Sequence, residues 1–150
     1  RPQLRMIDQV HRFVLGVITQ GLIPLLPGIH HAGASDLVTL EDLKFSGNAL
    51  RCCRDNLLYH GTLLYDFTLP LIERLLLLPP RQPEYRGNRP HAEFVTNLPL
   101  MRDALRDAVV DAWVEESESQ TLRPLVDWPH ELTRQLAATR YASREWNWQR

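Results

Sequence analysis

Apolar side chains at Ile7, Val10, Val14, Val17 and Ile18 recur at steps of three and four residues, the stripe of a helix that faces a core. The pattern runs from Leu4 to Leu22, and Gly21 and Pro24 close it. A stretch rich in Pro, Gly and His follows. There His30 and His31 read as loop histidines: neighbours in an extended chain point opposite ways, and no third ligand stands at a zinc spacing. Leu37 to Leu40 reads as a short strand, and Glu41-Asp42 as the turn into a second strand that carries Lys44. The third strand, Leu57 to Phe67, follows the polar break Arg54-Asp55-Asn56. Three antiparallel strands in a meander are expected.

Beyond the strands the period returns to that of a helix. Thr68 is placed to cap a helix through Leu71, Ile72, Leu75 and Leu76, with Pro70 in its first turn and Pro79-Pro80 as its stop. Arg81 to His91, dense in charge, Pro and Gly, reads as a surface loop. Asn97 is the expected cap of a longer helix whose buried stripe is Met101, Leu105, Ala108, Val109, Ala112 and Trp113. Glu115 to Glu118 ends it as a solvated turn, and Asp127 opens a shorter helix with Trp128, Leu132 and Leu136 turned inward. The fold class this implies is α+β: an antiparallel sheet over residues 37 to 67 packed on one face by the 4 to 22 and 98 to 114 helices.

Composition narrows the partners. With 44% apolar and 23% charged residues the chain has the makings of a folded domain, and 150 residues suffice for one core, so 1 to 150 is read as a single domain. A net charge of -1 with both signs interspersed gives no footprint for nucleic acid or an anionic membrane surface. The apolar run from Phe13 to Ile29 is broken by Thr19, Gln20, Pro24 and Pro27, which excludes it as a membrane span. Cys52 and Cys53 are the two cysteines, adjacent and with no third partner, so a disulfide framework is excluded and both read as small apolar strand side chains in a reducing compartment. No Gly-x-Ser-x-Gly, Walker loop or dinucleotide fingerprint occurs, which removes the corresponding hydrolase, phosphatase and dehydrogenase classes.

The chemistry concentrates in Lys44-Phe45-Ser46-Gly47-Asn48-Ala49-Leu50-Arg51 and Tyr59-His60-Gly61-Thr62-Leu63-Leu64-Tyr65-Asp66. A strand's period of two puts Lys44, Ser46 and Asn48 on one face and Phe45, Gly47 and Ala49 on the other. Gly47 permits close approach of a ligand or backbone, and a lysine beside it can meet a polarised oxygen. By the same parity His60, Thr62 and Asp66 share a face, and His60 reads as a hydrogen-bonded structural histidine ahead of a base. Asp36 reads either as a turn-capping carboxylate or as an organiser of magnesium or ligand.

A Lys-x-Ser-Gly-Asn-Ala strand followed by His-Gly-Thr-Leu-Leu resembles the lipoate-protein ligase A family, within the biotin/lipoate A/B protein ligase superfamily. The likeness extends through Pro79 to Arg86 and Val95 to Leu98, and Tyr141 to Trp148 is similar to the segment that closes the family's catalytic domain. The resemblance implies a fold like that of class II aminoacyl-tRNA synthetases and biotin ligases. It implies Lys44 as the residue that contacts the carbonyl and phosphate oxygens of a lipoyl-adenylate, with Ser46, Gly47, Asn48, Ala49, His60, Gly61 and Thr62 at the adenylate and Asp36 near magnesium. Two departures stand out. Ala34 occupies the place of an arginine in the family's Arg-Asn-Asp or Arg-Ser-Asp triplet, and the Arg-Arg-x-x-Gly-Gly-Gly segment of the acyl pocket is not found. The chain therefore reads as the second half of a catalytic domain, incomplete at its N-terminal side.

The activity so implied is ligation in the cytoplasm: lipoate is activated with ATP and magnesium to lipoyl-AMP, then passed to a lysine of a lipoyl acceptor domain. The acceptors implied are the E2 subunits of 2-oxoacid dehydrogenases and the H protein of glycine cleavage, and no tightly bound cofactor is implied. The alternatives are an octanoyl or lipoyl transferase that works through a cysteine without ATP, and a non-catalytic module that binds lipoyl domains or acyl groups.

Overall fold

The computed structural model describes residues 6–54, 56–117 and 128–149. The chain divides into two compact units, residues 1–120 and 121–150. The first contains helix α1 (Ile7–Leu22), strands β1 (His30–Ala32), β2 (Asp36–Val38), β3 (Lys44–Cys53) and β4 (Asn56–Gly61), and helices α2 (Pro70–Leu75), α3 (His91–Phe94) and α4 (Arg102–Glu116). A 3-10 turn, Glu84–Arg86, precedes α3.

The four strands form one antiparallel sheet in the order β1-β2-β3-β4. The meander is thus one strand wider than the hydrophobic pattern predicts, because β1 is short, half-exposed and built from His30, His31 and Ala32, which carry no alternation of apolar residues. His30 and His31 lie on this edge strand and not in a loop, with His30 Nε2 3.1 Å from Asp42 Oδ1. At the other edge β4 ends at Gly61 and not at Phe67. The Thr62 and Leu64 amides still donate to the Gly47 and Phe45 carbonyls, at 3.1 and 2.9 Å, but Asp66 lies past this pairing.

Both long helices reach the sheet. Leu15 and Leu22 of α1 and Leu105 of α4 join Ile29, Leu37, Phe45 and Leu98 in one core cluster. The helices also cross closely at Gly21, where an added Cβ would sit 2.6 Å from Ala112 Cβ and 2.7 Å from the Ala108 carbonyl oxygen. The stripe on α1 is right at Val10, Val14 and Val17, whereas Ile7, in the first turn, is exposed. On α4, Leu105 and Ala112 are buried, but Met101 is exposed because the helix begins only at Arg102. Pro99 disfavours helical geometry at the residue before it. Asn97 does not cap α4: its side chain instead takes the Phe67 amide at 3.1 Å and gives to the Phe67 carbonyl at 2.8 Å.

Helix α2 is shorter than its leucines predict. It caps at Leu69 and not through the Thr68 side chain, it stops at Leu75, and it buries no residue; Leu75 and Leu76 are exposed. The polar segment 81 to 91 is not all surface. The Arg86 guanidinium is buried 4.4 Å above the Phe94 ring and donates from Nε to the Arg89 carbonyl at 3.0 Å. Arg89 approaches the same ring at 5.3 Å. Stacking on an aromatic face lets a guanidinium lose water without an acid partner, which a reading of charge density alone misses. Burial pulls the Arg86 pKa below its ordinary value.

The second unit contains α5 (His130–Leu136), a π-helical turn at Ala137–Tyr141 and α6 (Arg144–Asn147). Ser143 caps α6 by accepting from the Trp146 amide, and Tyr141 meets Trp146 edge to face at 5.2 Å. Trp128 and Leu132 are exposed and not turned inward, and the expected helix start at Asp127 lies outside the described residues. Among the described residues no helix is long and apolar enough to cross a membrane.

Candidate functional site

The register between β2 and β3 decides which side chains meet. Asp36 pairs with Gly47 and Leu37 with Ser46, but Val38 pairs with Lys44, so β3 has one extra residue in this interval. Such a bulge breaks the period of two. Lys44 therefore shares a face with Gly47 and Asp36, not with Ser46 and Asn48 as strict alternation predicts. Its side chain arches over Gly47, where an added Cβ would lie 3.4 Å from both Cε and Nζ.

That arch ends in an ion pair. Lys44 Nζ is 2.8 Å from Asp36 Oδ1, and the side chains retain 29% and 12% of their exposure. The second carboxylate oxygen is also engaged, since the Tyr85 hydroxyl donates to Asp36 Oδ2 at 2.7 Å. Burial first, then the hydrogen bond to Asp36 and its charge, raise the Tyr85 pKa above its ordinary value, so Tyr85 is a protonated donor. Lys44 is fixed from its backbone as well: its carbonyl accepts from the Thr96 amide at 2.9 Å.

Asn48 ties the same strand to the turn before β2. Its Nδ2 donates to the Ser35 carbonyl at 2.8 Å and to Ser46 Oγ at 2.9 Å. Ser46 is buried and serves Asn48 from beneath, without lining the cleft. Across the ladder Asn48 faces Gly61. A Cβ on Gly61 would overlap the Asn48 amide oxygen and come within 2.7 Å of its Cγ. Glycine at 61 is therefore what leaves the amide its place.

Asp36, Lys44, Gly47, Asn48, Ala49, His60, Gly61 and Thr62, together with Ser35, line one open cleft of about 380 Å³. Of the residues that the resemblance places at the adenylate or near magnesium, Ser46 alone does not line it. His60 is exposed on this cleft with no hydrogen-bond partner among the described residues, which corrects its reading as a hydrogen-bonded structural histidine. A buried, hydrogen-bonded histidine is found instead at His11 on α1: it holds the Tyr59 hydroxyl at 2.9 Å, and burial pushes the Tyr59 pKa up to about 12. Tyr59 in turn lines an apolar hollow of about 520 Å³ that shares Asn48, His60, Gly61 and Thr62 with the cleft.

Cys52 and Cys53 are exposed free thiols at the far end of β3, so they are not packed as small apolar side chains, and neither lines the cleft. Among the described residues no three His, Cys, Asp or Glu side chains are grouped to hold a metal ion. Asp36 has Lys44 on one oxygen and Tyr85 on the other.

Sequence reasoning missed Tyr85, since a tyrosine in a charged, Pro-rich segment carries no periodic signal. The one available sign was its place in the Pro83-Glu84-Tyr85-Arg86 run that continues the resemblance.

No curated protein matches the chain by sequence. Among solved structures, the fold is similar to the bipartite lipoate protein ligase of Thermoplasma acidophilum, described with its E2 lipoyl domain (TM-score 0.74, 19% identity, 94% of this chain and 58% of that one). It is similar also to a putative lipoate protein ligase of the same organism with bound lipoic acid (0.72, 18%, 94% and 58%) and to a lipoate-protein ligase A bound with ATP (0.67, 20%, 95% and 59%). The chain thus spans under two thirds of the length of these proteins, and it shares with them the fold of class II synthetases and biotin ligases. The model of the lipoyl protein ligase A/B catalytic domain matches residues 5–118, the stretch that carries the whole cleft, and the chain belongs to that family.

Proposed function

We propose that the protein is a lipoate-protein ligase, and that this chain supplies the lysine side of its adenylation site. The observation that carries the reading is Lys44: a partly exposed ammonium on a cleft floor, held by Asp36 above a glycine that leaves room for a ligand. When the lipoate carboxylate attacks the α-phosphorus of ATP, a bond forms to the acyl oxygen, pyrophosphate leaves, and negative charge builds on the phosphoryl oxygens. A preorganised cation in a partly desolvated site stabilises that charge. In the second step a lysine amine of the acceptor attacks the acyl carbonyl and AMP leaves, with charge now on the carbonyl oxygen within reach of the same ammonium.

Gly47, Ala49, Gly61 and Thr62 keep the floor low enough for the adenylate, and Asn48 and His60 offer polar groups at its edge. Magnesium accompanies ATP on its phosphates in this scheme, while Asp36 serves Lys44. The neighbours bound to lipoic acid and to ATP support lipoate and ATP as the substrates, and the archaeal pair with its E2 lipoyl domain supports a lipoyl domain as the acceptor. An H protein of glycine cleavage would present the same lysine chemistry. Free thiols at Cys52 and Cys53 agree with a reducing, cytoplasmic setting.

Transfer without ATP ranks second, because a thiol nucleophile must touch the acyl group and neither cysteine lines the cleft. Non-catalytic binding of lipoyl domains or acyl groups ranks third, since a recognition surface has no need of a buttressed lysine. The complete protein, given lipoate, ATP and an apo lipoyl domain, should form the lipoylated acceptor. Product formed from octanoyl carrier protein without ATP, and lost on changing a cysteine, would replace the ligase with the transferase; no product in either assay would leave the binding module.

A further inference from the structure

Two donors share Asp36: Lys44 takes Oδ1 at 2.8 Å and Tyr85 takes Oδ2 at 2.7 Å. A carboxylate paired with a lysine alone can rotate about its last bond and offer either oxygen, and the lysine follows it. A second donor on the other oxygen removes that freedom and leaves Lys44 one place to sit. Tyr85 is itself well anchored for the task. Its ring packs on Phe94 at 5.4 Å, its carbonyl accepts from Arg89 Nη2 at 3.0 Å, and it lies against Gly33, where φ is +57° and an added Cβ would come within 3.2 Å of the ring. Its hydroxyl is a neutral donor, so it fixes Asp36 without competing with Lys44 as a second cation.

We propose that Tyr85 is a positioning residue of the cleft: by fixing the rotation of the Asp36 carboxylate it holds the Lys44 ammonium above Gly47, aimed at the oxygens on which charge develops. This rests on the ligase reading above and adds to it a residue from a distant loop, which acts through Asp36 and never touches the substrate. Tyr85→Phe keeps the ring on Phe94 and removes only the hydroxyl.

In the complete protein, Tyr85→Phe should lower kcat for lipoate adenylation about tenfold, the usual scale for one hydrogen bond to a charged group, with KM for lipoate and the thermal midpoint nearly unchanged. The loss should vanish once Asp36 is altered, so Asp36→Asn combined with Tyr85→Phe should be no slower than Asp36→Asn alone. A wild-type kcat in Tyr85→Phe, or losses that multiply in the double variant, would overturn the proposal. A second readout needs no turnover: acetic anhydride should label Lys44 faster in Tyr85→Phe than in the wild type, because the ion pair that shields the amine is looser. Equal labelling overturns the positioning role whatever the substrate is. A wild-type protein that adenylates nothing would instead sink the ligase reading, and the labelling comparison still decides Tyr85.

Discussion

The two halves of β3 belong to one strand and one hairpin, yet they differ in nearly everything that matters for chemistry. From Lys44 to Asn48 the strand lies between β2 and the chain running on from β4, with Phe45 and Ser46 buried. From Arg51 to Cys53 it pairs with β4 alone, and its side chains, like Leu57 and Leu58 opposite, are exposed. The inner half has its polar side chains held: Lys44 bonds to Asp36, which bonds to Tyr85, and Asn48 bonds to Ser35 and Ser46. The outer half has one basic residue, Arg51, and two thiols, with no such support among the described residues. A reactive side chain needs neighbours that fix it, and β3 puts its lysine where the sheet is widest.

Breaking the inner half should be costly in proportion to what each residue supports. Phe45→Ala removes a fully buried ring from the core and should cost about 3 to 5 kcal/mol of folding free energy, read from a denaturant titration. Lys44→Ala leaves Asp36 without its cation and should lower the thermal midpoint, though by less than Phe45→Ala, while raising the adenylation barrier by about 2.7 to 4 kcal/mol, the range for losing one preorganised donor. Lys44→Arg should restore only part of the rate, because the planar guanidinium cannot place its charge as the ammonium does.

Gly61→Ala falls between the two effects. The new methyl displaces the Asn48 amide from Ser35 and Ser46, and two hydrogen bonds at roughly 1 kcal/mol each set a destabilisation of about 2 kcal/mol, together with a raised KM for lipoate. In the outer half, Cys52→Ser and Cys53→Ser should change stability by no more than about 0.5 kcal/mol and leave ligation intact, as measured by thermal melting and by acceptor lipoylation. A large loss from either serine variant would erase the contrast between the halves and favour a thiol mechanism.

The parts of this arrangement legible in the sequence are those set by local pattern. The apolar stripe of α1 announces its buried face at Val10, Val14 and Val17, and the residue types around Lys44 pick out side chains that the structure brings to one cleft. Register is not local. The extra residue in β3 is defined only by which residues of β2 it faces, so alternation put Lys44 on the face of Ser46 and Asn48, away from Gly47 and Asp36. Tyr85 and Arg86 escaped for a similar reason: a tyrosine and an arginine in a charged segment become interior only when Asp36 and Phe94 arrive from elsewhere in the chain. Asn97 had the side chain of a helix cap, but the Phe67 backbone claimed its amide first.

The central claim is that this cleft activates lipoate with ATP, and the measurement closest to it is lipoate-dependent exchange of labelled pyrophosphate into ATP by the complete protein, with Lys44→Ala alongside. Reversible adenylation predicts exchange that requires lipoate and falls in Lys44→Ala by about a hundredfold or more, with the variant still folded at the assay temperature. Exchange that proceeds equally well in Lys44→Ala, or a wild type that exchanges nothing with lipoate present yet charges an acceptor from an acyl carrier, would contradict it.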